Sequence, residues 1–258
     1  MAFDRRLGAA EIRARKGTAF PVITAYDAAF ARCVEDAGID VVLVGDSLGN
    51  VALGFPSTVS VDLEDMCRHA GAVARGTRHA HVIVDLPFGS YEASDADAVR
   101  SAVRLVKAGA TSVKLEGGVR VASRIAAIVA AGIPVVGHIG VLPQTAGLGT
   151  GFKRKRDHDL LVADALAVES SGAFAIVLEL VDAAITSEIT KTLSIPTIGI
   201  GSGGDCDAQV LVLYDALGLY PEPPAFVKRY VDLGALATSA LRDYAREVRE
   251  GSFPPPKR

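Results

Sequence analysis

Four acids stand where short apolar runs end. Asp46 follows "VVLVG" (41–45), Asp85 closes "HVIVD", Glu116 sits in "SVKLEG" and Glu179 in "FAIVLEL". Measured from the nearest upstream glycine at a helix end, Asp46 comes eight residues after Gly38, and Glu116 and Glu179 come seven after Gly109 and Gly172. Lys114 lies two residues before Glu116, so on a strand the two side chains share a face. One acid after a strand has an ordinary explanation as a helix cap or a solvated group. Four at matched positions point instead to carboxylates converging on one rim. Such groups repel and protonate unless a cation sits among them, and oxygen donors without His or Cys favour Mg2+ over zinc. A partly open metal can chelate a 2-oxo acid and stabilise an enolate. One acid held off the metal can then serve as base, while an ammonium holds developing negative charge.

The elements that would carry these residues recur along the chain. Apolar, β-branched runs occur at 21–26, 41–45, 81–86, 112–117, 134–140, 174–180, 196–201 and, less distinctly, "VLVLYD" at 210–215. They are continuous rather than alternating, the pattern of strands buried on both faces of a parallel sheet. Segments with helical spacing fill most gaps, although the gap between 201 and 210 is too short for a full helix. "AGIDVVLVGD", "AGATSVKLEG", "AGIPVVGHIG" and "SGAFAIVLEL" each place a glycine where a helix should stop before a strand begins. Eight such units predict a (β/α)8 barrel, with an open doubly wound sheet as the alternative. The reading is a single barrel domain over 1–258 with a short N-terminal helix and a C-terminal helical tail. Two long connections, 47–60 and 141–156, follow strands and so belong over the C-terminal mouth, where barrels bind substrates.

Composition narrows the partners. Lys plus Arg total 27 against 30 for Asp plus Glu, a net charge of −3, so no global field draws the chain to nucleic acid or to an anionic membrane. Three scattered cysteines, Cys33, Cys67 and Cys206, fit no metal spacing and suit a reducing compartment; with no signal-peptide pattern, cytoplasm is the expected location.

At these same residues the chain resembles the ketopantoate hydroxymethyltransferase family. The matching pieces are "TAYD" (24–27), "VGDSLG" (44–49), "DLPFGSY" (85–91), "VKLEGG" (113–118), "GHIGVLPQ" (137–144), "LELV" (178–181) and "IPTIGIGSG" (195–203), in family order over nearly the whole chain. The resemblance implies a barrel of the phosphoenolpyruvate mutase and isocitrate lyase type, using Mg2+ and 5,10-methylenetetrahydrofolate. By position, Asp46, Asp85 and Glu116 look like the metal carboxylates. Asp46, Ser47, Asp85 and Lys114 resemble the residues that hold 3-methyl-2-oxobutanoate, and Glu179 resembles the general base. Family members are commonly homodecamers, so a homo-oligomer is implied. Departures from the family pattern fall at Val141-Leu142, Phe152, Tyr214 and Ser202, and none removes a proposed ligand or the base.

Other residues leave alternatives open. His138 reads either as a buried structural histidine or as a substrate-side group. "GIGSGG" (199–204) is a phosphate cradle or a tight turn, and the resemblance favours the turn. "KRKR" (153–156) is a solvated loop or an attractor for an acidic folate tail, and Tyr26 supports the site or belongs to the core. His69, His79, His81 and His158 show no ligand spacing. Competing functions are a superfamily lyase or mutase acting on another 2-oxo acid, and a silent barrel that only senses one.

Overall fold

The computed structural model describes residues 5–220 and 222–255. Its centre is a closed barrel of eight strands in sequence order, β1 (Phe20–Thr24), β2 (Val41–Val44), β3 (His81–Asp85), β4 (Ser112–Glu116), β5 (Val135–Gly140), β6 (Ala175–Glu179), β7 (Thr197–Ile200) and β8 (Ala208–Leu211). Every described strand pair from β1 to β8 is parallel. Each residue of β2, β3 and β4 is buried, which is why these strands are continuous apolar runs in the sequence.

Helices return the chain between strands: α1 (Ala9–Arg13) precedes the barrel, and α2 (Ala28–Asp36), α3 (Leu48–Val51), α4 (Leu63–Gly76), α5 (Asp95–Ala108), α6 (Ala122–Ala130), α7 (Pro143–Thr145), α8 (His158–Ser170) and α9 (Ala183–Thr192) follow strands. Acids and a serine open most of them. Asp27, Asp62, Ser94, Asp157 and Asp182 each accept backbone N–H bonds as N-caps. Asp27, in "TAYD", is thereby accounted for, and it separates capping acids from those left for chemistry. The four predicted helix-ending glycines, Gly38, Gly109, Gly132 and Gly172, all have positive φ.

One strand differs from the sequence reading. The eighth lies at Ala208–Leu211 rather than at 210–215, and Leu213–Leu217 forms α10. An apolar run of six residues suits a strand or a helix equally, so its periodicity does not choose between them. No helix occupies the connection between β7 and β8. The barrel interior is filled from below by Ile12, Val22, Leu43, Ile83, Val136, Phe174, Val177 and Ile198.

Compactness divides the chain into two units, 1–210 and 211–258. The first holds the barrel. The second holds α10 and α11 (Leu233–Glu250), which is capped by Asp232 and has no buried residue. Among the described residues no helix is long and apolar enough to cross a membrane, and all three cysteines are free.

Candidate active site

Strand register decides which side chains meet. Asp85 pairs with Lys114, Glu116 with His138, His138 with Val177, and Gly140 with Glu179. Side chains of paired residues in a parallel ladder face the same side, and so do residues two apart on a strand. Asp85, Lys114, Glu116, His138 and Glu179 therefore project to the side occupied by Ile83, Val136 and Val177, which belong to the interior cluster. The interior is apolar below and polar at the C-terminal rim. Asp46 and Ser47 arrive by a turn just beyond β2, where the Asp46 N–H donates to Asp85 Oδ2 at 3.0 Å.

A close backbone approach fixes the position of Glu179. Gly140 has φ of 98°, and a Cβ there would lie 2.2 Å from the Glu179 carbonyl oxygen. That same carbonyl accepts the Val141 N–H at 2.8 Å. Only glycine fits at 140.

The electrostatics are those of a crowded, dry rim. Asp46, Asp85, Lys114, Glu116 and His138 are each less than 5 % exposed. Burial, then the neighbouring Asp85 charge, pushes Asp46 up to about 7. Burial and then Asp46 hold Glu116 well above the usual carboxylate range. Burial works against the Lys114 ammonium, but Asp85, Glu116 and Asp46 outweigh it and keep it charged. Its Nζ lies 3.1 Å from Asp85 Oδ1 and 3.0 Å from His138 Nδ1.

An ammonium has only protons to give, so His138 Nδ1 accepts and the ring is neutral with its proton on Nε2. Burial, followed by the Lys114 charge, lowers His138 well below its ordinary pKa and agrees with that state. Nε2 then faces Glu179 Oε2 at 3.3 Å, without any hydrogen-bond partner of good geometry. The Glu179 side chain is 16 % exposed, and Glu179 is the most open of the four acids on this rim. Burial raises its pKa to about 7, with Lys114 opposing. A carboxylate that gives up its proton near neutrality is suited to take one from carbon.

The structure thus brings Asp46, Asp85, Lys114, Glu116, His138 and Glu179 to one rim. Ser47 joins through Tyr26, whose hydroxyl lies 2.9 Å from Ser47 Oγ and accepts from Thr24 Oγ1 at 2.8 Å. Tyr26 is buried at that position and so both fills the core and meets the site. Two residues were missed in the sequence. Gln144 donates to Asp46 Oδ2 at 2.8 Å, and the Tyr91 hydroxyl donates to Gln144 Oε1 at 2.6 Å. Both lie inside motifs quoted above, but nothing in their spacing marks them as facing the acids.

The donors suit a hard cation. Glu116 Oε1 is buried with no hydrogen-bond partner, and Asp85 Oδ1 has only its ion pair with Lys114. Yet among the described residues no three His, Cys, Asp or Glu side chains form a ready-made metal cage. Magnesium does not need one, since it keeps several waters and binds through one or two carboxylates.

The remaining motifs resolve structurally. Ser202, in "GIGSGG", donates to the Leu178 carbonyl at 2.7 Å and accepts from the Val181 N–H at 3.0 Å, so this stretch is a turn that ties β7 to the end of β6. Within "KRKR", Arg154 donates to the Val181 carbonyl at 2.7 Å and the Lys155 backbone bonds to Leu180 and Asp182. The run is therefore partly anchored. It borders a cavity of about 430 Å³ that also touches Gly117, Gly140 and Asp164.

A closed parallel barrel whose C-terminal rim gathers buried carboxylates around one ammonium defines an α/β-barrel enzyme. The same architecture is found in a solved member of the phosphoenolpyruvate mutase/isocitrate lyase superfamily. It superposes on phosphonopyruvate hydrolase in complex with oxalate and Mg++ (TM-score 0.65, 15 % identity, 96 % of this chain and 89 % of that one). It also superposes on 2,3-dimethylmalate lyase, a member of that superfamily (TM-score 0.62, 15 % identity, 99 % and 90 %). At such identities the likeness concerns the fold.

Sequence carries the assignment further: the chain belongs to the ketopantoate hydroxymethyltransferase family, whose sequence model matches residues 6–256. It is 49 % identical over 244 residues to the 3-methyl-2-oxobutanoate hydroxymethyltransferase of Ignicoccus hospitalis, covering 93 % of each chain. With the enzyme of that name from Heliobacterium modesticaldum the identity is 51 % over 249 residues, 94 % of this chain and 90 % of the relative.

Proposed function

We propose that the chain transfers a hydroxymethyl group from 5,10-methylenetetrahydrofolate to 3-methyl-2-oxobutanoate, giving 2-dehydropantoate for pantothenate synthesis. The observation that carries this reading is Glu179, a rim carboxyl with a pKa raised to about 7 on the same rim as the Lys114 ammonium, which its acidic neighbours hold protonated. Around it stands a chain about half identical to enzymes named for that reaction.

The 2-oxo acid sits among Asp46, Ser47, Asp85, Lys114 and His138, with its branched carbon toward Glu179. A divalent cation such as Mg2+, held by Asp46, Asp85 and Glu116, would supply positive charge beside the carboxylate and keto oxygens of the substrate. Glu179 takes the proton from the branched carbon. Lys114 holds negative charge that moves onto the keto oxygen. Neutral His138 presents its Nε2–H beside Glu179, 3.3 Å from Oε2, where a small shift of either side chain completes a hydrogen bond. The carbanionic carbon then bonds to the methylene carbon of the folate. Both carbon–nitrogen bonds that held that methylene break, water supplies the hydroxyl oxygen and one proton, the proton taken up by Glu179 supplies the other, and tetrahydrofolate leaves with both nitrogens protonated.

Exchange of the branched-carbon proton in deuterated buffer isolates the first step. The wild-type chain should exchange it without folate, and Glu179→Gln should stop exchange while still binding the oxo acid. Exchange at the wild-type rate in that variant rejects Glu179 as base. Product formation that needs no folate would favour a lyase instead.

A further inference from the structure

The proposed chemistry uses the carboxylates but leaves open what holds them in place. Gln144 is 1 % exposed and comes from α7, which begins at Pro143 just after β5. Both of its amide hydrogens are committed, one to Asp46 Oδ2 at 2.8 Å and the other to the Leu86 carbonyl at 2.9 Å. Its Oε1 accepts the Tyr91 hydroxyl at 2.6 Å. Its backbone N–H donates to Glu116 Oε2 at 3.1 Å. The Tyr91 oxygen in turn accepts the Glu116 N–H at 3.3 Å.

The Leu86 carbonyl selects the orientation of the amide, and the tyrosine hydroxyl, which also lies 3.2 Å from the Glu116 carbonyl oxygen, completes it by the shorter contact to Oε1. A flipped amide would set Oε1 against a carboxylate and a carbonyl, and would turn the NH2 group toward the tyrosine proton. The buried tyrosine hydroxyl carries a phenolic proton, which it donates across 2.6 Å. One residue thus ties together the tips of β2, β3 and β4. It occupies one oxygen of Asp46 and one of Glu116, and Glu116 Oε1 is left with no partner.

From this geometry we infer that Gln144, fixed by Tyr91, is the positioning residue of the cation site. It holds Asp46 and Glu116 so that their other oxygens face a common hard divalent ion. The inference rests on the proposal that such an ion binds this rim. Supporting partners of this kind typically carry about 10–100-fold in metal affinity.

Mn2+ titration followed by electron paramagnetic resonance tests it on the full chain without substrate, alongside circular dichroism and thermal melting of the metal-free proteins. Gln144→Met keeps the volume and the backbone N–H but removes the amide. Its dissociation constant per folded site should rise roughly 10–100-fold. Tyr91→Phe removes only the hydroxyl that orients the amide, and should weaken Mn2+ by a smaller factor. A merely structural role predicts the opposite pattern, lower melting temperatures with Mn2+ affinity unchanged in the molecules that remain folded. Binding within about twofold of wild type in both variants overturns the inference. If Gln144→Met does not fold, Tyr91→Phe decides alone, and unchanged affinity there overturns it equally. A wild-type chain that binds no Mn2+ sinks the cation proposal itself, which the variants' behaviour alone cannot do.

Discussion

Two histidines lie buried in the barrel at opposite ends, and they differ in what their nitrogens face. His81, at the start of β3, has Nδ1 2.8 Å from the Leu7 carbonyl and Nε2 2.8 Å from Ser112 Oγ. His138, on β5, meets Lys114 with one nitrogen and faces Glu179 across 3.3 Å with the other. Burial lowers both pKa values, His81 to about 4. Burial and a shifted pKa therefore do not separate a structural histidine from a site residue. The unfilled valence does: the N-terminal end of the barrel is satisfied by its own chain, and the C-terminal rim keeps groups that only a substrate or ion can complete.

Breaking that contrast at the rim should cost activity first. Glu179→Gln should slow branched-carbon proton exchange by about 10²–10⁴-fold, the range for loss of a positioned base, with the fold intact by circular dichroism. Lys114→Met should remove oxo-acid binding, measured calorimetrically. It also leaves Asp85 and its neighbours without their cation, and should lower unfolding free energy by about 3–5 kcal/mol in denaturant titrations near neutral pH. At the other end, His81→Leu strands the Leu7 carbonyl and Ser112 Oγ. It should lower stability by about 1–3 kcal/mol and leave turnover per folded molecule unchanged.

His81 at one end and Glu179 at the other respond to pH with opposite sign, while His138 on the rim shares the sign of His81. Between pH 6.5 and about 4, unfolded His81 takes up a proton that the folded ring refuses, so its contribution to stability falls as pH falls. Between pH 4.5 and about 7 the folded Glu179 keeps a proton that the unfolded chain has lost, so its contribution falls as pH rises. Denaturant titrations across this window should show a shallower acid-side decline in His81→Leu, with the His138 share remaining, and a shallower opposing slope in Glu179→Gln, with the Asp46 share remaining. Wild-type slopes in both variants would contradict the assigned environments.

Much of this was legible in the sequence because strand parity and glycine punctuation are local properties. Seven strands fall where apolar runs place them, within one or two residues at each end, and Lys114 faces the same way as Glu116 as the two-residue spacing requires. The eighth strand was misplaced because "VLVLYD" is as good a helix start as a strand, and Gln209 interrupts the run that does pair. Gln144 and Tyr91 escaped notice because their partners are 25 to 98 residues away in the chain. Those contacts exist only once the loops fold over the rim. The solvent-facing character of "KRKR", exposed at Lys153, Arg154 and Arg156, was legible, but the carbonyl that anchors Arg154 could be seen only in three dimensions.

Gly140 gives the rim an unexpected kind of vulnerability. The neighbouring main chain already occupies the volume that a methyl group would need, so alanine there would have to shove the end of β6 aside and swing the Glu179 carboxylate away from its target. No charged atom would be deleted, and a search for lost reactive groups would find nothing missing. Such a lesion would silence the protein through displacement alone, by replacing a hydrogen on a residue that itself takes no part in the bond changes.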